Sequence, residues 1–281
     1  MPRSRKPVGK QTAPQVGSIR ASDALFVQSI EKGLRVLYAF GSEHRALGLT
    51  EIATAIGFDM STVQRFVHTW QRLGYLKRDP RSRRYTLAAK LLDFSFMYLR
   101  SSGLVEIAMP HLVALGNTCE ENINLMELDA ADVLFILRLP RKEIRYSAGV
   151  VGARVPAFCT SAGRAILAHL PQENARDIIQ SSDLTPQTPH TLTDPHEIFE
   201  RLAEVKQQGY SIVDQEVLVG EISVAAPILD YAGTPIAAVS IPVPTTRWSV
   251  KSVQKTLAPH VVETARAISR ACGGLAAYYG S

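Results

Sequence analysis

The sequence predicts an α+β chain of two domains: an N-terminal winged helix-turn-helix, a linker helix, and a C-terminal domain built on an antiparallel sheet. Three observations carry this prediction. The charge is split, because residues 1–100 hold 17 Lys/Arg against 7 Asp/Glu while residues 101–281 hold 14 against 19. Two short helical stretches around residue 58 flank a tight turn and are followed by a basic hairpin. Short strand-like runs then alternate with helices to the end of the chain. A basic third joined to an acidic remainder places contact with a polyanion in the first part only. With 281 residues, 46% of them apolar, the chain is long enough for two cores. The expected divisions are a flexible basic arm (1–24), the winged helix-turn-helix (25–88), the linker helix (89–103) and the C-terminal domain (104–275).

Residues 1–21 hold five basic residues, three prolines and no acid, which reads as an arm. From Phe26, apolar residues at Val27, Ile30, Leu34, Leu37 and Tyr38 step by three and four, so a helix runs toward Gly41. Leu49 to Gly57 reads as a short helix with Thr50 as N-cap and Gly57 just past its end. Ser61 is expected to open the next helix, since Ser61 and Gln64 have capping-box spacing. Val63, Phe66, Val67, Trp70 and Leu73 form its apolar stripe, leaving Ser61, Arg65, His68 and Arg72 on the opposite face. Trp70 and Phe66 are therefore core. Tyr75 to Arg78 and Arg84 to Leu87 are strand-like, and Asp79-Pro80-Arg81-Ser82-Arg83 is a turn-rich tip between them. Helix, helix-turn-helix and basic hairpin together make a winged helix.

Residues 88–102 form an amphipathic helix with Leu91, Leu92, Phe94, Phe96, Tyr98 and Leu99. That is more apolar surface than a connector needs, so it is expected to pack against a second copy and give a homodimer or homotetramer. Leu104 to Cys119 continues helically. Asn124 to Leu128 and Val133 to Leu139 read as a hairpin, and Ile144 to Ser147 as a further strand. Helices follow at 160–170 and 172–180, then a proline-containing loop at 181–193. Asp194-Pro195-His196-Glu197 opens a helix with N-cap Asp and Pro at its first position, and Gly209 ends it. Strands are expected at 210–216, 223–229 and 236–243, with a closing helix at 249–272.

The same residues exclude several classes. The longest uncharged stretch, Tyr231 to Thr246, is broken by Gly233, Pro235, Pro242 and Pro244, so it is no membrane span. No apolar run follows the basic N-terminus, as a secretory signal would require, so a cytoplasmic protein is expected. Cys119, Cys159 and Cys272 lack metal-type spacing, and no metal or cofactor is expected. No G-x-S-x-G, H-E-x-x-H or P-loop is present, and no catalytic residue is assigned. The competing reading is a small-molecule-processing enzyme with an accessory DNA-binding domain. Its strongest support is Asp214 and Glu216, two apart on a strand and so sharing a face. A constitutive architectural DNA-binding protein, the third class, has no need of the large second domain.

SIEKGLRVL (29–37), LTEIA (49–53), MSTVQRFVHTWQRLGYL (60–76), RYTL (84–87), GARVPAFCTSAGRAILA (152–168), KQQGYSIVDQE (206–216), VAAPILD (224–230) and AAVSIPVP (237–244) occur in one order and spacing. In this the chain resembles the IclR-type transcriptional regulators of bacteria, over nearly its whole length from Val27 to Ala271. The resemblance implies a winged helix that binds double-stranded operator DNA and a GAF-like C-terminal domain that binds a small organic effector. Within the family, the segment around 152–168 looks most like regulators of aromatic-acid catabolism, the protocatechuate, p-hydroxybenzoate and β-ketoadipate group.

Site residues follow from both readings. Short or forked polar side chains near the start of a groove-bound helix reach base edges, and Ser61, Thr62, Gln64, Arg65 and His68 supply them. Arg81, Arg83 and Arg84 of the wing suit phosphates or the minor groove. The alternative for the helix residues is an ordinary solvated face. For the effector, the resemblance points to the small-residue turn with Cys159, Thr160, Ser161 and Ala162, and to the strands holding Asp214, Ser223 and Ser240. Arg145 is expected to neutralise a carboxylate at the pocket edge. Some relatives have Cys where this chain has Ser223, so the same ligand is not implied. Thr160 and Ser161 as plain N-caps, Asp214 in a structural ion pair, Ser240 facing solvent and Cys159 as a buried apolar side chain remain the alternatives. Because Asp214 would accept from a ligand hydroxyl, a hydroxy acid, or a keto acid in its hydrated form, is expected over a plain carboxylate.

Overall fold

A computed structural model describes residues 25–41, 46–141 and 151–279, with side chains up to residue 273. The arm at 1–24, the expected strand at 144–147 and Arg145 lie outside the described residues. The described residues fall into two compact units, one ending at Tyr98 and one beginning at Leu99.

The first unit is built from α1 (Gln28–Tyr38), α2 (Leu49–Ile56), α3 (Met60–Arg72) and the antiparallel hairpin β1 (Leu76–Arg78) and β2 (Tyr85–Leu87). Its core is Val36, Ile52, Val63, Val67, Leu76 and Tyr85. Val63 and Val67 lie on the apolar stripe expected for α3. The stripe expected for α1 is corrected, since Val27, Ile30, Leu34 and Tyr38 are exposed and α1 packs inward through Gly33, Val36 and Leu37. Trp70 packs at the edge of this core and donates its indole N–H to the Gly33 carbonyl at 2.8 Å. Leu47 adds a short backbone bridge to Tyr85, which ties the segment before α2 to the wing. Two expected caps are corrected. Gly48, not Thr50, precedes α2, and its N–H donates to the Glu51 carboxylate at 2.6 Å. Asp59, not Ser61, caps α3, because a carboxylate one residue before the helix outcompetes a hydroxyl inside its first turn. Gly57 closes α2 as expected, in the left-handed conformation at φ 70° that glycine adopts without strain.

Helix α4 (Leu92–Ser101) follows a 3₁₀ turn (Ala89–Leu91) and runs across the boundary between the units. The second unit then comprises α5 (Gly103–Cys119), β3 (Ile123–Asp129), β4 (Asp132–Leu139), β5 (Arg154–Pro156), α6 (Ser161–Leu167), α7 (Gln172–Ser181), α8 (Pro195–Gln208), β6 (Ser211–Asp214), β7 (Glu221–Leu229) and β8 (Pro235–Pro244). It closes with α9 (Val250–Ser252), a π-helical turn (Val253–Leu257) and α10 (Ala258–Tyr279). The strands form one antiparallel sheet in the order β5-β4-β3-β8-β7-β6. Strand alternation splits the core into two layers. Ile123, Leu125, Val224, Val239 and Ile241 meet Leu112 of α5 and Val261 and Ala265 of α10. Met126, Val133, Ala225 and Ala238 meet Phe158, Ala162 and Ile166 around α6 and Ile198 and Leu202 of α8. Strand β5 was not foreseen, since three residues are too few to show a period.

Candidate functional sites: a basic winged surface and a small cavity

On α3, Ser61, Gln64, Arg65 and His68 are exposed and Thr62 is half-buried. The first turn is tightly organised. Asp59 accepts from the Thr62 N–H at 2.8 Å, the Ser61 hydroxyl at 2.6 Å and the Thr62 hydroxyl at 2.6 Å. Those donors, the Ser61 hydroxyl first, hold the Asp59 carboxyl far below its usual range. Both hydroxyl hydrogens are thus committed within the protein, and Ser61 and Thr62 face outward as acceptors. Arg65 and Thr62 share a groove with Gln28, Ser29 and Lys32 of α1. Lys32 was not singled out from sequence, because nothing in the spacing of α1 shows which helix packs beside it.

The wing tip is folded by Asp79, which accepts from the N–H groups of Arg81 and Ser82 at 2.9 and 2.6 Å. Arg81 and Arg83 are exposed there, and Arg83 takes φ 56°. Arg84 has a different task. Its guanidinium donates to the Ala46 carbonyl at 2.8 Å and pairs with Glu51 at 2.7 Å. It therefore braces the base of the wing against α2.

The second unit holds a cavity of about 70 Å³ between the sheet and α6. That is below the roughly 300–1,000 Å³ of common ligand pockets, so the site suits at most a very small molecule unless its walls move. Thr160, Ser161, Ala162, Ser223 and Ser240 line it, as do Asn124, Arg138, Glu216 and Glu221, while Met126, Phe135, Val213 and Leu218 supply apolar wall. Ser161 and Ser223 hydroxyls bond to each other at 2.8 Å. Thr160 caps α6 by accepting the Gly163 N–H at 3.1 Å. Helix α6 has only seven residues and not the expected eleven, so its end offers less of a dipole than the sequence promised. Gly163 is required by packing: a Cβ there would lie 2.1 Å from the Ala157 carbonyl oxygen. Glu221 sits on the cavity wall, where burial pushes its carboxyl up to about 7 against the opposing pull of Arg138. Arg138 is itself shifted down by burial.

Two expected effector residues fall outside this cavity. Asp214 is exposed, because its neighbour Val213 takes the inward position and successive strand side chains point to opposite faces. Cys159 is fully buried beneath the cavity, its Sγ 3.9 Å from the Pro156 carbonyl, and burial drives its thiol up to about 12. It is a packing residue. Asn124, Arg138 and Glu221 were missed. Their strands were placed correctly, but a strand pattern does not say which of its two faces carries a pocket.

The strand pair of carboxylates that favoured an enzyme is not formed, because β6 ends at Asp214 and Gln215 takes φ 60°. Glu216 is buried in a two-pronged ion pair with Arg164, with both N···O distances 2.6 Å, and also accepts the Leu192 N–H at 3.0 Å. Asp214 is exposed and accepts from the Gln215 side-chain amide at 3.2 Å. Arg164 further donates to the Phe158 carbonyl at 2.7 Å, so this pair locks α6 to the loop after β6.

Comparisons with known proteins agree with this geometry. Residues 29–80 match the IclR helix-turn-helix domain, and residues 96–270 match the C-terminal domain of bacterial IclR transcriptional regulators. The chain is 31% identical over 273 residues to the Pca regulon regulatory protein of Pseudomonas putida, covering 94% of this chain and 93% of that one. A crystal structure of a transcriptional regulator from a Rhodococcus species matches with TM-score 0.77 and 31% identity, over 89% of this chain and 100% of that chain. An IclR homologue from Microbacterium hydrocarbonoxydans, crystallised with 4-hydroxybenzoate, matches with TM-score 0.72 and 26% identity, over 87% and 98%. The exposed cationic α3 and wing, the small cavity with its few polar groups and these matches lead to one conclusion: the chain belongs to the IclR family of transcriptional regulators, DNA-binding proteins and not enzymes.

Proposed function

We propose that this protein binds a specific operator through α3 and the wing, and that a small organic acid seated in the cavity of the second unit changes that binding. The observation that carries the effector half is the cavity itself. It places Arg138 and the Ser161–Ser223 hydroxyl pair on one small, mostly apolar enclosure, the usual make-up of a site for a small anion with directed polar contacts. Aromatic acids are the class we favour, because a similar structure holds 4-hydroxybenzoate and a similar chain is named for the pca regulon. Phe135, Met126 and Pro242 supply flat or soft apolar wall for a ring. At the DNA, Gln64, Arg65 and His68 read bases, while Arg81, Arg83 and the α1 residue Lys32 hold phosphates.

The test is calorimetry with a panel of small organic acids on the wild type and on Ser161→Leu, which fills the cavity wall. A specific acid is expected to bind the wild type and to lose at least tenfold in affinity on the variant. Equal binding to both proteins places the effector elsewhere and overturns this assignment.

A further inference from the structure

One polar group in the cavity has hydrogen-bonding capacity that the fold leaves unused. Asn124 is 3% exposed, and its Oδ1 has no partner among the described residues. Its Nδ2 donates to Ser240 Oγ at 3.3 Å, and that hydroxyl donates to Met126 Sδ at 3.7 Å. Turning the amide over would leave both amino hydrogens unpaired and draw the Ser240 hydroxyl from Met126. The acceptor is therefore the end left over. Packing does not call for an amide here. Ile123 and Leu125 face the opposite layer, and the adjacent inward residue is Met126. Native folds rarely keep a buried acceptor unpaired, because the group loses its water and gains nothing in return.

The position of Asn124 shows what would complete it. Arg138, Asn124 and Ser240 lie directly opposite one another on β4, β3 and β8, a single cross-strand row on the cavity wall. Directly opposed strand residues lie within about 5.5 Å of each other, so one small ligand spans two of them. A cation and an orphan acceptor side by side complement a molecule that carries a carboxylate and a donor.

We infer that Asn124 is a specificity residue: its Oδ1 accepts a hydrogen bond from a hydroxyl of the effector whose carboxylate lies toward Arg138, so the effector is a hydroxylated acid. This rests on reading the cavity as the acid site. It replaces Asp214, the acceptor expected from sequence, with one that faces the cavity. A site that hydrogen-bonds a ligand hydroxyl rejects the analogue lacking it, since the buried acceptor is then stranded.

The probes are matched acids: 4-hydroxybenzoate with benzoate and 4-methoxybenzoate, and lactate with propionate, each titrated by calorimetry into the full chain. In at least one set the hydroxylated acid is expected to bind the wild type at least tenfold tighter than its deoxy partner. In the aromatic set, the methoxy compound, which cannot donate, behaves as benzoate does. In Asn124→Leu the preference falls to threefold or less, while the deoxy acid binds as before. If the preference survives in Asn124→Leu, or the deoxy and methoxy acids match the hydroxylated ones on the wild type, Asn124 does not read a hydroxyl and the acid site still stands. If no acid binds the wild type, the acid reading falls and this assignment falls with it. Should Asn124→Leu not fold, Asn124→Ala, which also lacks the acceptor and adds no bulk, is titrated in its place and read by the same two outcomes.

Discussion

Arg65 and Arg83 are both exposed cations, yet they are expected to fail in different ways. Arg65 stands one turn into α3, and the proposed base reading has its forked donor pair with guanine O6 and N7. Arg65→Ala should cost roughly 1–3 kcal/mol on the operator and much less on random DNA. Arg83→Ala, at the wing tip, should weaken both to a similar degree. Fluorescence anisotropy on the two DNAs separates them, and equal losses for Arg65→Ala would make it a phosphate contact. Inside the second unit, Arg164→Ala strands Glu216, a carboxylate only 6% exposed. Breaking a buried pair in this way costs about 3–5 kcal/mol, readable as a lower denaturant midpoint. Glu221 sets a pH dependence. Its folded carboxyl is raised to about 7 from an ordinary 4.5, so the folded state holds a proton the unfolded chain has released. The stability it contributes is complete below about pH 4.5 and is lost as pH rises through about 7. Melting curves across this window should therefore show Glu221→Gln gaining on the wild type as pH rises. A constant difference would mean that Glu221 is not desolvated.

At the scale of elements, the helical period and the turn residues made the winged helix legible before any coordinates. On α3, Val63 and Val67 are buried, and Arg65 and His68 exposed, as their spacing required, whereas Leu73, expected on the same stripe, is half exposed. What the pattern hid was partner choice. Asp59 as the cap of α3 and Arg84 as a brace to Glu51 depend on three-dimensional neighbours, and a basic residue in a wing reads the same whether it meets phosphate or carboxylate. The same limit explains the cavity. Ser161, Ser223 and Ser240 were legible, whereas Asn124 and Arg138 meet them only through the order of strands β4, β3 and β8. Two predictions belong to this scale. A basic α3 and wing bind DNA largely by releasing counterions, so the operator association constant should fall steeply and linearly on a log–log salt plot. A flat plot removes the wing from the phosphate contacts. Helix α4 exposes Leu92, Phe94 and Met97 by 66, 53 and 54%. Phe94 and Met97 share one side of the helix and Leu92 lies nearly opposite. Burying such apolar side chains against a second copy sets two winged helices on a two-fold operator. Light scattering should give a dimer or larger at micromolar concentration, and Leu92→Glu with Met97→Glu should shift it toward monomer. A wild-type monomer under those conditions contradicts this.

For the molecule as a whole, the two compact units and the charge split follow from composition, because each stretch carries its own apolar core and its own sign of charge. Regulation requires more than two working units. An effector shifts DNA binding only if it binds the DNA-competent and incompetent states with different affinity, and the coupling is reciprocal. Typical couplings of 1–3 kcal/mol correspond to roughly 5- to 150-fold changes in affinity. The most direct measurement is therefore an anisotropy titration of labelled operator with the full chain, with and without a saturating acid that calorimetry has shown to bind. The account predicts at least a fivefold change in operator affinity in the wild type, and none in Ser161→Leu at the same acid concentration. An acid that occupies the cavity and leaves operator affinity unchanged would contradict it.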